Sequence, residues 1–162
     1  MKYLRCTQED LPQVLEIYSQ ARDFMRKTNN PNQWRDSEPS LNLIKKHISM
    51  NRLYKLVDSK GRILTVFALI YGEDITYKRV VGGKWISSSP YATIHSIASS
   101  HLISHTGRSA ILHCLQEVKH IRIDTHKDNK IMQNTLKKLG FIKVGIIYLL
   151  NGEERIAFEK II

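Results

Sequence analysis

The sequence predicts an α/β (α+β) fold, a mixed central sheet flanked by helices on both faces. Three observations carry this. Short strand-type apolar runs recur from Tyr3 to Ile161 and alternate with helix-type segments. The stretch from Ile121 to Gly145 reads without interruption as strand, capped turn, amphipathic helix and second strand. No internal repeat, low-complexity tract or linker breaks the chain, so residues 1–162 are expected to form a single domain.

Taken in order, Tyr3 to Cys6 reads as a first strand. Thr7-x-x-Asp10 is a capping-box pattern with Asp in place of Glu, and a helix is expected from there to about Arg26. Leu11, Val14, Leu15, Ile17, Tyr18, Ala21 and Met25 fall on its buried stripe. Lys27 to Ser40, with TNNPNQW and EPS, is rich in turn formers and reads as a loop, followed by a second helix over Leu41 to Met50. Leu53 to Asp58 and Ile63 to Tyr71 form two strands joined by a Ser-Lys-Gly turn. Gly72 to Pro90 reads as an ordered excursion, and Tyr91 to Ala98 as a buried central strand. Gly107 to Val118 is helical, and Ile121 and Ile123 mark the next strand. The turn Thr125-His126-Lys127-Asp128-Asn129 supplies capping side chains. Ile131, Met132, Thr135, Leu136 and Leu139 then recur at helical spacing, and Gly140 follows Lys137 and Lys138 as a helix C-terminus prefers. Phe141 opens a strand, and Glu154 to Ile161, with alternating Ile156 and Phe158, closes the sheet.

Composition narrows the function classes. Hydrophobic content of 42% with 25% charged residues is ordinary for a soluble globular chain. No apolar run is long enough to span a membrane and the N-terminus lacks a signal-peptide pattern, so no membrane partner is expected. Cys6 and Cys114 lie in no paired or metal-like spacing and read as small apolar groups in a reducing cytoplasm. His101 and His105 are four residues apart but lack a neighbouring Cys or carboxylate, so no metal site is expected. No P-loop, Gly-x-Ser-x-Gly or Gly-x-Gly-x-x-Gly motif occurs, which removes support for kinase, hydrolase and dinucleotide-binding readings. The net charge of +10 favours an anionic partner such as a phosphorylated cofactor. Its cations are spread without a cluster or a recognisable module, which argues against nucleic acid.

The run Asp128-Asn129-x-x-Met132-x-x-x-Leu136-x-x-x-Gly140-Phe141 closely resembles the C-terminal motif of the GNAT superfamily of acyl-CoA-dependent N-acyltransferases. The order of elements agrees with that resemblance along almost the whole chain. It implies a GNAT-like mixed, mostly antiparallel sheet, acetyl-CoA as cofactor, and transfer of an acetyl group to the amine of a small molecule or peptide. It also implies that the backbone of the fourth strand pairs with the pantetheine arm, beside Ile97, Ala98 and Ser99. Pyrophosphate would rest on the N-terminus of the following helix, on backbone donors of Thr106, Gly107, Arg108, Ser109 and Ala110. Asn129 matches a position near the cofactor and is equally suited to capping its own helix. Two positions depart from the family pattern. Ser104 stands where a basic or amide side chain is usual, and Leu136 where many relatives carry a tyrosine general acid. The same residues therefore leave open a GNAT-like domain that binds a ligand or a protein without transfer.

Amide formation from an amine needs that amine neutral, the thioester carbonyl polarised and the thiolate stabilised. His95, ahead of the cofactor-pairing segment, is the expected base, against the alternative of a hydrogen-bonded core histidine. Tyr148 and Tyr91 are candidate acids with equal claims to packing roles. Glu73 and Asp74 would hold a cationic amine, or simply be solvated. Trp34, Tyr77 and Trp85 fall in the two irregular regions expected to overhang the acceptor, with ordinary loop packing as the alternative. A homodimer is left open.

Overall fold

The apolar runs become the seven strands of one sheet in a computed structural model that describes residues 1–162. The strands are β1 (Lys2–Arg5), β2 (Leu53–Val57), β3 (Ile63–Tyr71), β4 (Ala92–Ser99), β5 (His120–Thr125), β6 (Ile142–Tyr148) and β7 (Glu154–Ile161). Four α-helices, α1 (Leu11–Lys27), α2 (Leu41–Ser49), α3 (Thr106–Glu117) and α4 (Lys130–Lys138), complete the expected order. The sheet order is β1-β2-β3-β4-β5-β7-β6, and every pair is antiparallel except β4 with β5. No helix is long and apolar enough to cross a membrane.

Local chemistry sets the helix ends. The Thr7 N–H donates to the Asp10 carboxylate at 2.7 Å, so the capping pattern winds a single 3-10 turn before α1 proper begins at Leu11. At the end of α4, Gly140 takes φ +79°, where a side chain would be strained. There the Gly140 N–H reaches the Lys137 carbonyl and the Phe141 N–H the Leu136 carbonyl, closing the last turn.

The two sheet faces carry separate cores. Val14, Ile17, Tyr18 and Ala21 of α1, with Ile44 and Ile48 of α2, pack on Leu53, Val66, Ala68 and Ala98. Across the sheet, Ala110, Ile111, Cys114 and Leu115 of α3, with Leu136 of α4 and Leu139 just past its end, cover Phe67, Ile94, Ile121, Ile123 and Phe158. Both cysteines are buried and free, and burial pushes each thiol up to about 12.

The excursion between β3 and β4 is fastened to the sheet by a buried ion cluster. Glu159 accepts from Arg122 and the Ile86 N–H and bonds His120, while the Arg122 guanidinium stacks between Trp85 and Tyr91 at 4.1 and 4.0 Å.

One irregularity opens the sheet. Val66 pairs with Ala98 and Ala68 with His95, so Ser96 and Ile97 together face Phe67 alone. Ser96 takes φ +52° at this bulge, and its carbonyl accepts the hydroxyl of buried Tyr18 at 2.8 Å. Beyond Thr93 the two central strands part: β4 pairs with β5 only at Ala92–Ile121 and Thr93–Arg122, while β5 follows β7 through to Thr125. Tyr18→Phe should cost about 1–3 kcal/mol in urea unfolding, because the Ser96 carbonyl loses its donor inside the fold. A variant as stable as wild type would show that the bulge does not need this bond.

Candidate functional site

The gap between β4 and β5 runs into two adjoining cavities of about 630 and 410 Å³, which share Met25, Ile97, Asn129 and Met132. The larger is bounded by Ala98, Ser99, Thr106, Gly107 and Arg108, with Lys138 of α4 opposite. The α3 N-terminus opens there, and its unsatisfied N–H groups and dipole make an anion site. The free donors are those of Thr106, Gly107 and Arg108. The Ser109 N–H is already committed to the His105 carbonyl at 3.0 Å. Neither Ser109 nor Ala110 reaches the cavity wall, and Ala110 is fully buried, so the expected five-donor loop shortens to three. A Cβ added at Gly107 would lie 3.3 Å from the Ser99 hydroxyl, so helix and strand meet closely. Arg108, Lys138, His101 and His105 give this end a basic lining suited to phosphate.

The smaller cavity holds His95, whose side chain is 27% exposed. Its Nε2 lies 2.7 Å from Asp74 Oδ2, and Asp74 also accepts the Thr76 N–H and hydroxyl. An ionised carboxylate accepts only, so the neutral imidazole carries its proton on Nε2 and its lone pair on Nδ1. Nδ1 has no hydrogen-bond partner and is not sealed from solvent. Burial opposes the imidazolium, yet the Asp74 hydrogen bond and the charges of Asp124 and Asp74 outweigh it, raising His95 above the ordinary 6.5. Asp74 is pushed up by burial but held down at about 2 by His95 and Thr76.

The other expected residues divide clearly. Trp34 stands on the wall of the smaller cavity, edge-on to Tyr18 at 5.7 Å. Asn129 lines both cavities while its carbonyl caps α4 at Met132 N–H, 3.0 Å, and its amide donates to Gln33 at 2.8 Å. Tyr77 and Trp85 do not overhang the site. Tyr77 is buried with its hydroxyl donating to Asp124 Oδ2 at 2.6 Å, and Trp85 donates to the Tyr77 carbonyl and stacks on Arg122. Tyr91 receives the Asp74 N–H on its hydroxyl, Tyr148 faces outward beside Glu154, and Glu73 is exposed. Leu136 is fully buried in the core rather than in the gap.

Sequence reasoning missed Asp124 and the cavity-facing side of α4. Both had a signal. In Ile121-Arg122-Ile123-Asp124, charged residues alternate with apolar ones, which marks a second, polar face. The apolar face of α4 is wider than the core needs: Leu136 and Leu139 enter the core, whereas Ile131, Met132 and Thr135 line the larger cavity.

No protein-family model matches the sequence, and no curated protein sequence matches it. Solved structures do. A GNAT-family acetyltransferase from Streptococcus agalactiae 2603 superposes with a TM-score of 0.89 at 26% identity, covering 99% of this chain and 95% of that one. The chain has the fold of the GNAT superfamily. A GNAT-family acetyltransferase from Listeria monocytogenes 4b F2365 follows at TM-score 0.72 and 14% identity, covering 99% and 94% of the two chains. The NatC complex, solved with a Gag peptide and CoA, matches at TM-score 0.66 and 11% identity over 99% and 98%.

Within this GNAT fold the His95–Asp74 pair has a defined pH signature. Asp74, lowered from 3.8, contributes stability above 3.8 that is lost as pH falls through about 2. His95, raised from 6.5, contributes below 6.5 and loses that contribution as pH rises through its folded value. The stability gap between wild type and Asp74→Asn should therefore be widest between pH 3.8 and 6.5 and narrow above it, as read by urea unfolding across pH. A gap independent of pH would mean that the pair is not charged. Separately, Gly107→Val should weaken pyrophosphate binding at least about tenfold in calorimetry while leaving the chain folded; an unchanged dissociation constant would move the anion site elsewhere.

Proposed function

We propose that the chain is an acetyl-CoA-dependent N-acetyltransferase acting on a primary amine by direct attack, with residues 1–162 as one transferase domain. The observation that carries this is the parting of β4 from β5, which joins the α3 N-terminus to His95 through one continuous gap. The likeness to GNAT-family acetyltransferases supports the reading, as does a neighbour solved with CoA. A cytoplasmic setting fits two buried free thiols.

Acetyl-CoA supplies an acetyl group activated as a thioester. The chain's own residues do the rest. The edge of β4 from Ile97 to Ser99 has no strand partner on the β5 side and offers its backbone groups to an amide-bearing arm, as an added strand would. The N–H groups of Thr106, Gly107 and Arg108 hold the pyrophosphate. His95 Nδ1 accepts a proton from the incoming ammonium, and Asp74 fixes the tautomer and steadies the imidazolium. The free amine forms the new C–N bond as the C–S bond breaks, and its second proton goes to the departing sulfur. Trp34 forms one wall beside the acceptor.

One observation favours the second reading, binding without transfer: no tyrosine lines either cavity, so the leaving sulfur has no phenolic donor. Turnover decides between them. Release of free coenzyme A thiol, followed over a panel of primary amines, is expected for the enzyme and absent for the binder. His95→Ala should lower kcat by about 10²–10⁴-fold with acetyl-CoA affinity unchanged. Because the neutral ring is the active form, kcat/KM should climb with pH through a pKa above 6.5, and Asp74→Asn should move that limb down. Full activity in His95→Ala would remove the histidine from the mechanism.

A further inference from the structure

Asp124 ends the buried run of β5 at the point where β4 has turned away. Its Oδ2 is taken by the Tyr77 hydroxyl, and burial together with Asp124 itself raises Tyr77 well above 10, which keeps that hydroxyl a donor. Its Oδ1 has no hydrogen-bond partner and is not sealed from solvent, in a residue that lines the smaller cavity. A half-buried carboxylate oxygen without a donor is costly unless a ligand or water supplies one.

The rest of that cavity narrows what the ligand is. Its walls mix polar and apolar groups, and Trp34, Leu43, Met25, Ile94 and Leu149 give it an apolar portion alongside the carboxylate. The one permanent cation on the wall is Arg155, and it is spent. Its guanidinium donates to the Gln33 and Glu154 carbonyls and to Glu153. Glu38 adds a second carboxylate at the same cavity. A chain with a net charge of +10 thus carries two carboxylates with no ion-pair partner, Asp124 and Glu38, at this cavity, while the larger cavity is basic.

We propose that Asp124 Oδ1 anchors the ammonium of the acceptor, and that the acceptor is a primary amine on an apolar body with no anionic group beside the nitrogen. This rests on the transferase reading for its chemistry but not for its binding. Asp124 and His95 line the same cavity, and both meet Tyr77: its hydroxyl bonds Asp124, and its ring centroid lies 6.0 Å from that of His95. An ammonium held at Oδ1 shares this cavity with the histidine that takes its proton. An α-amino acid with the same body brings its carboxylate against Asp124 and Glu38 and is rejected by like charge.

The test is calorimetric titration of 2-phenylethylamine, 2-phenylethanol and phenylalanine into the protein saturated with coenzyme A, with turnover measured in parallel. The amine should bind, and the alcohol and amino acid should bind at least about tenfold more weakly. Asp124→Asn should lose about 10- to 100-fold in amine affinity, the range of a hydrogen bond to a charged group, with coenzyme A affinity unchanged. Asp124→Glu, which keeps the charge, should recover most of the affinity, and thermal melting confirms that both variants fold. Amine binding that is Asp124-dependent but without turnover would uphold the anchor and defeat the transferase reading. Turnover that survives Asp124→Asn with unchanged KM would defeat the anchor and leave the transferase standing. Equal binding of phenylalanine and 2-phenylethylamine would overturn the substrate class.

Discussion

The bulge at Ser96 and Ile97 is the constraint on which the rest of the molecule depends. Two residues of β4 facing one of β3 turn the strand, and the turned strand cannot stay in register with β5. A sheet that stayed paired would have its two central strands buried on both faces and no interior polar edge. Here the edge of β4 is bared inside the molecule, against a gap that both helical layers leave open. Tyr18 secures this from the α1 side by bonding the Ser96 carbonyl, so the bulge is part of the packed core rather than a flaw in it. The β3–β4 excursion covers the same face farther along the sheet: the Glu159, Arg122 and His120 cluster holds it down, which places Asp74 and Tyr77 within reach of β4 and β5.

Electrostatics then divide the gap into two unlike ends. At the α3 end, backbone N–H groups, Arg108 and Lys138 favour anions. At the His95 end, Asp74, Asp124 and Glu38 favour cations, and the local cation Arg155 is neutralised by its neighbours. One passage is thereby suited to an anion at one end and a cation at the other, with the histidine at the acidic end. The Asp74–His95 pair leaves Nδ1 as the ring atom free to accept a proton. His95 is raised by Asp74 and Asp124, the same carboxylates that make this end suited to a cation.

Most of the fold was legible because periodicity is a local property. Strand boundaries fell within a residue or two, since apolar runs such as Ile63–Tyr71 and turn formers such as Gly61 and Gly140 mark them directly. The motif from Asp128 to Phe141 pointed to the superfamily fold that the structural neighbours share. Residue partnerships were less legible. His95 stood out by type, but its bond to Asp74 joins residues 21 apart across a loop that no spacing rule predicts. Tyr77 and Trp85 misled because aromatics in an irregular segment have two destinations, and here the core under the excursion claimed both. Leu136 stands in the motif where many relatives carry a tyrosine general acid; here the helix turns it into the core and presents Met132 and Thr135 to the gap.

The most direct test is a thermal-shift titration with acetyl-CoA, with ADP as the control for phosphate contacts alone. A ligand at about a hundred times its dissociation constant adds about 2.7 kcal/mol, which for a chain of this size is a rise of about 5–10 °C. A saturable rise of that order that ADP does not reproduce is the expected result. No rise at millimolar acetyl-CoA would mean that the gap between β4 and β5 does not hold the thioester, whatever the fold around it.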